Sequence, residues 1–200
     1  LRAKSAPDIG RLGTIIFSAA AGESISFLPM SFFNRKSKIM RWIWIDKFLE
    51  FKSGQYAVAL KNVTLAEEHL HDHFPGFPIM PECLMIEAMA QTGGILVGEA
   101  RNFAEKVILA KIKKAVFYHY VCPGDTITLH ARIESIAPEA ASIEGEIKRG
   151  DQRIAQISLM FSHIDKNLAG KQFPEENFVF TDMFHSLLTG FVERPTEPAL

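Results

Sequence analysis

The chain has 200 residues, the size of one large domain rather than two. Its 22 Lys and Arg nearly balance 23 Asp and Glu, and a net charge of -1 argues against a dedicated nucleic-acid binder. Hydrophobic residues at 48% exclude disorder, and 16 Phe against 3 Tyr and 2 Trp fit a large dry core or an apolar pocket.

Residues 1–39 carry six basic side chains (Arg2, Lys4, Arg11, Arg35, Lys36, Lys38) against Asp8 and Glu23, with no period of 2 or 3.6. They are expected to lie outside the structured domain, as a flexible extension or as upstream sequence. The apolar run Leu12 to Phe33 holds Glu23, Pro29, two Gly and four Ser, which makes it a poor membrane span. As a signal peptide, Arg2, Lys4 and Arg11 would precede the apolar Leu12 to Ala21. Asp8 interrupts that basic region, and the reading is set aside. Two cysteines, Cys83 and Cys122, cannot form a disulfide framework, and they point to a reducing, cytoplasmic setting.

Ordered sequence is expected from Met40. Trp42 to Phe51 and Gln55 to Val63 read as a hairpin about the turn Ser53-Gly54. Pro81 to Gly98 reads as a helix with Pro81 in the first helical position and Glu82 favoured by the dipole. It is apolar almost all round and therefore buried, and Gly93-Gly94 suggests a close approach. Lys106 to Tyr120 is extended and ends at Cys122-Pro123-Gly124-Asp125. Alternation marks three more strands: one through Ile127, Leu129, Ala131 and Ile133, one over Ala141 to Lys148, and one through Ala155, Ile157, Leu159 and Phe161. Gly150-Asp151 is a hairpin turn between the last two. Short turns and one-sided burial indicate an antiparallel sheet wrapped around one buried helix, an α+β fold. The domain is placed at 40–165. A tail over 166–200 carries a possible short helix at Thr181 to Phe191, with Pro195 and Pro198 in a disordered end.

Two features carry candidate chemistry. Glu87 lies within the apolar helix, where a carboxylate either finds a partner or is held neutral. The run from Glu67 to Gly76 holds His69, His71 and His73, which in a strand would share a face and could hold a metal. This run is one residue short of the HxHxDH pattern of metallo-beta-lactamases, and His69 and His71 read better as surface-loop residues. His73 differs, because Phe74-Pro75-Gly76-Phe77-Pro78 is a stiff loop leading into the helix. A loop base and a helix acid only 14 residues apart make an acid–base pair.

The strings His73-Phe74-Pro75-Gly76, Pro78-Ile79-Met80-Pro81 and Leu84-Met85-Ile86-Glu87-Ala88-Met89-Ala90-Gln91 resemble the signature of bacterial 3-hydroxyacyl-[acyl-carrier-protein] dehydratases of the FabZ type. Val121-Cys122-Pro123-Gly124-Asp125 is similar to that family's V-x-P-G-D turn, and Lys111 to Phe117 resembles the strand before it.

The resemblance implies a hot-dog fold, a long central helix wrapped by a curved antiparallel sheet. It also implies a homodimer with sheets paired edge to edge, often assembled into hexamers as trimers of dimers. Catalytic residues are then His73 from one protomer and Glu87 from the other. Glu rather than Asp at position 87 implies plain dehydration in fatty acid biosynthesis, without isomerisation. Gly76, the Glu82 backbone N–H and Gln91 are the implied substrate contacts, and no metal or cofactor is called for. The implied partner is acyl carrier protein, docking on basic side chains drawn from Lys111, Lys113, Lys114, Arg149 and Arg153. Glu82 departs from the family, which usually has Gly there. It adds a negative charge beside an anionic transition state. Other readings are a hot-dog thioesterase using Glu87, a non-catalytic acyl-binding protein, and a metal hydrolase using His69, His71 and His73.

Overall fold

A computed structural model describes residues 42–164, 167–168, 171–172, 179–180 and 186–188. The basic segment 1–39 lies outside the described residues. So does most of the expected helix at 181–191, of which 186–188 form one helical turn.

The elements follow in chain order: β1 (Lys47–Lys52), β2 (Tyr56–Asn62), α1 (His69–Asp72), α2 (Glu82–Glu99), β3 (Lys106–Phe117), β4 (Thr126–Ile136), β5 (Ala140–Arg149) and β6 (Gln152–Ile164). A two-residue pair, β7 (Asn167–Leu168) and β8 (Lys171–Gln172), comes after them. Strands β1 to β6 make one sheet in the order β1-β2-β4-β5-β6-β3, with every pairing antiparallel. α2 packs across the face of β2, β4, β5 and β6 and against β3. This is the α+β hot-dog arrangement, a helix enclosed by a curved sheet.

The alternation seen in the sequence is realised as burial. Ile127, Leu129 and Ala131 of β4, Ile143 and Ile147 of β5, and Ala155, Ile157, Leu159 and Phe161 of β6 all face the helix in the core. From Ala88 to Gly98 every residue of α2 is buried. Glycines set how closely the layers approach. A Cβ on Gly93 would overlap the Ile143 side chain, and one on Gly145 would overlap the Met89 thioether. The close approach expected at Gly93-Gly94 is thus made to β5 and to the Phe161 ring.

Four local expectations change. β1 begins at Lys47 rather than Trp42, because the residues before it hydrogen-bond to α2 and to the end of β2 instead of forming a ladder. Pro81 is the N-cap, with ψ 136, and the helix starts at Glu82. β3 ends at Phe117, before Tyr118 to Tyr120. His69 to Asp72 form a helical turn rather than the surface loop expected of His69 and His71. β3 is also an edge strand, as β1 is at the opposite side of the sheet, and Leu109 to Lys114 are exposed on both faces, so burial there is not one-sided.

Candidate active site

The loop between α1 and α2 is tied at several points. Ile79 N–H bonds the His73 carbonyl at 2.9 Å, and Phe74 and Phe77 exchange backbone bonds across the Pro75-Gly76 turn. Gly76 has φ +78, a left-handed conformation that a side chain would strain. Met80 N–H bonds the Val121 carbonyl at 2.8 Å, which fastens the end of the loop to the Cys122–Asp125 turn. That turn is held by Asp125, whose carboxylate accepts from Cys122 N–H at 2.9 Å and from the Arg149 guanidinium at 2.6 Å.

His73 ends α1 and is half-buried, its ring stacked on Phe74. Its Nδ1 lies 3.0 Å from the Ile79 carbonyl oxygen. A carbonyl only accepts, so Nδ1 carries the proton and donates it. Nε2 is left with its lone pair, the form a general base requires.

The other two histidines go elsewhere. His71 bonds the Leu65 carbonyl through Nε2 at 2.9 Å. His69 packs edge-on against Trp44 and is half-buried. The helical turn removes the shared strand face on which the metal reading rested. Among the described residues no group of three His, Cys, Asp or Glu could hold a metal ion.

Glu87 is partly exposed, unlike Ala88 to Gly98 after it. Gln91, one turn on, donates Nε2–H to Glu87 Oε1 at 2.9 Å and to the Trp42 carbonyl at 2.8 Å. Its Oε1 accepts the Trp44 N–H at 2.8 Å. Both Gln91 donors are therefore committed to the protein. Gln91 thus orients the carboxyl and pins the chain ahead of β1. Sequence reading missed this because the partners lie 47 and 49 residues away.

Beside Glu87 is a cavity of about 320 Å³, at the small end of the roughly 300–1,000 Å³ typical of ligand sites. Among the described residues that line it, Glu87, Gln91 and Trp42 carry hydrogen-bonding side chains and the others are apolar. His73 does not line it.

Glu82 is the first residue of α2 and partly exposed. Leu84 and Met85 N–H both bond the Pro81 carbonyl, so the Glu82 and Cys83 N–H groups have no acceptor within the helix. They form a donor pair at the positive end of the helix dipole. Of the basic candidates, Arg149 pairs with Asp125, Arg153 with Glu146 and Lys113 with Glu134, while Lys114 bonds Gln156. Lys111 is exposed and pairs with no acidic side chain among the described residues. No described helix is long and apolar enough to cross a membrane.

Residues 40–158 match the model of the FabA-like domain family. The 3-hydroxyacyl-[acyl-carrier-protein] dehydratase FabZ of Koribacter versatilis is 41% identical over 117 residues, 58% of this chain and 75% of that protein. Its counterpart in Pelotomaculum thermopropionicum is 35% identical over 122 residues, 60% of this chain and 87% of the relative. That of Clostridium kluyveri is 37% identical over 127 residues, 63% and 88% of the two chains. Among solved structures, the dehydratase heterocomplex ApeI:P from Xenorhabdus doucetiae superposes with a TM-score of 0.54 at 14% identity, over 76% of this chain and 91% of that one, which shows the fold. With the helix, the enclosing sheet and the matched domain in agreement, the chain belongs to the FabA-like family and, within it, to the FabZ-type 3-hydroxyacyl-[acyl-carrier-protein] dehydratases.

Proposed function

We propose that this chain removes water from 3-hydroxyacyl chains on acyl carrier protein to give trans-2-enoyl products in fatty acid biosynthesis, with His73 as base and Glu87 as acid. The observation that carries this reading is the Nδ1–Ile79 hydrogen bond, which leaves His73 Nε2 as an available base on a braced loop.

Nε2 takes a proton from C2, and the negative charge that develops is delocalised onto the thioester oxygen. The N–H pair at Glu82 and Cys83 is the group best suited to receive that oxyanion. Gln91 occupies Glu87 Oε1, leaving Oε2 to deliver a proton to the C3 hydroxyl. The C3–O bond then breaks, water departs, and the C2–C3 double bond forms. The proton on His73 returns to Glu87 through solvent, and the residues end as they began. Each step uses groups this chain carries.

His73 is absent from the Glu87 cavity, and this favours a site shared between protomers, His73 facing the Glu87 of the partner subunit. β3 supports such a dimer. It is a 12-residue edge strand with Leu109 and Ile112 exposed, and an edge of that kind pairs with another strand. Hexamers as trimers of dimers follow from the same family reading. Acyl carrier protein would dock near Lys111, since Arg149, Arg153 and Lys113 pair with acidic side chains within the chain and Lys114 bonds Gln156. Unpaired Cys83 and Cys122 support a cytoplasmic setting.

The test is to incubate the purified chain with 3-hydroxyacyl-acyl carrier protein and weigh the product by mass spectrometry. Loss of one water from the acyl group is expected. An unchanged mass at equilibrium from both the hydroxyacyl and enoyl sides would overturn the proposal.

A further inference from the structure

The cavity beside Glu87 has a direction. Glu87, Ala90, Gln91, Gly94 and Ile95 all line it, and their spacing of three and four is that of one helix face. The cavity therefore runs along α2 from Glu87 toward the helix C-terminus. Its opposite wall is Val107, Ile108 and Leu109 of β3 with Phe161 of β6. The polar groups sit at the Glu87 end, and the remainder suits a hydrocarbon chain.

The next residue on that helix face is Gly98, eleven residues past Glu87 and about 16 Å further along the axis. Gly98 has no side chain, and the Phe180 ring occupies the space a Cβ would take. Phe180 is 7% exposed, lines the same cavity with Val179, and stacks edge-on against Phe103 with centroids 4.9 Å apart. The family match ends at residue 158, so this ring comes from a segment beyond the part shared with the family model.

We propose that Phe180, seated on Gly98, forms the end wall of the acyl cavity and sets the longest chain the enzyme accepts. The identity of the ligand as an acyl chain rests on the dehydratase reading; the position of the wall does not. An aromatic ring across the path of a methylene chain blocks every carbon beyond it, whereas removing the ring extends an apolar channel at no polar cost. Phe180 is thus a specificity residue, remote from the reacting atoms.

Two independent variants test this. Phe180→Ala removes the wall. Gly98→Ala leaves the phenylalanine in the chain but unseats it, because the added methyl overlaps the ring. Both are expected to raise kcat/KM for 3-hydroxypalmitoyl relative to 3-hydroxybutyryl thioesters by about tenfold or more, the effect of a few methylenes gaining or losing an apolar wall. Phe180→Leu, a shorter apolar plug, is expected to give an intermediate ratio and serves if the alanine variant loses its fold. Calorimetric binding of saturated acyl-pantetheine thioesters of rising length is run in parallel. A wild-type length cut-off that moves in the variants supports the wall even if no dehydration occurs, in which case only the dehydratase reading fails. An identical cut-off and turnover ratio in all variants, or no acyl binding by any of them, would overturn the proposal.

Discussion

His73 Nδ1 and the Ile79 carbonyl oxygen lie 3.0 Å apart, while the Ile79 N–H returns a bond to the His73 carbonyl at 2.9 Å. The two residues bracket the Pro75-Gly76 turn, so the bend of the loop and the tautomer of the imidazole are set by one pair of contacts. Nitrogen-15 NMR of histidine-labelled protein checks the chemical half of this. For the neutral ring of His73 the proton is expected on Nδ1, with Nε2 giving the unprotonated resonance. The opposite tautomer would remove the basis for His73 as the base.

Gln91 holds Glu87 and the segment before β1 with three hydrogen bonds from one buried amide. Gln91→Leu fills much the same volume and leaves the Trp44 N–H and Trp42 carbonyl without partners. A stability loss of about 1–3 kcal/mol is expected in denaturant unfolding. Turnover is expected to fall more than KM changes, because the carboxyl loses its orientation while the apolar wall remains. Gln91→Glu is expected to be worse than Leu in turnover, since it places a second carboxyl against Glu87.

Glu82 stands at the N-terminus of α2, where its charge interacts favourably with the dipole but sits beside the donors proposed for the oxyanion. Glu82→Gln keeps the backbone N–H and removes the charge. It is expected to raise kcat severalfold while lowering stability by about 0.3–1 kcal/mol. An unchanged kcat would place the side chain away from the reaction.

Burial holds His69 and His130 below the ordinary imidazole value of 6.5, and nearby Lys61 and Lys148 respectively add to the effect. Glu67 beside His69, and Glu146 and Glu50 beside His130, oppose it. The unfolded chain binds protons at both sites as pH drops through 6.5, whereas the folded chain resists them. Their contribution to stability is therefore intact above pH 6.5 and is lost as pH falls from 6.5 toward the folded values. Glu105, held down by Arg101, and Glu146, held down by Lys148 and Arg153 against its burial, sit below 4.5 and affect stability only in more acid solution. The urea midpoint is expected to decline from pH 7 to 5.5, with a shallower slope in a His69→Gln, His130→Gln double variant. An equal slope in both proteins would contradict this assignment.

Much of the fold was legible because burial is one-sided in β4, β5 and β6. There, period-two alternation and core position are one fact, as Ile127, Leu129 and Ala131 show. α2 was legible from its unbroken apolar run, and its Gly93 contact from the glycine pair. At His69-Leu70-His71 alternation did not distinguish a strand from a helical turn. Leu70 alone is buried there, and a single buried residue between two histidines satisfies a helical turn as well as a strand. His73 and Glu87 stood out because their chemistry is unusual for a proline-rich loop and an apolar helix. Gln91 and Phe180 did not, because their roles depend on contacts with Trp42, Trp44, Phe103 and Gly98 far off in the chain.

The most direct measurement is the absorbance of the conjugated enoyl thioester, followed from both the hydroxyacyl and the enoyl side, for the wild type, His73→Ala and Glu87→Gln. The wild type is expected to interconvert the two substrates, and each variant to lose about 10²–10⁴ in kcat. Mixing the two inactive variants is expected to restore part of the activity, because a mixed dimer holds one site with an intact His73 and an intact Glu87. No interconversion by the wild type, or undiminished rates in both variants, would contradict the assignment of His73 and Glu87 as the dehydrating pair.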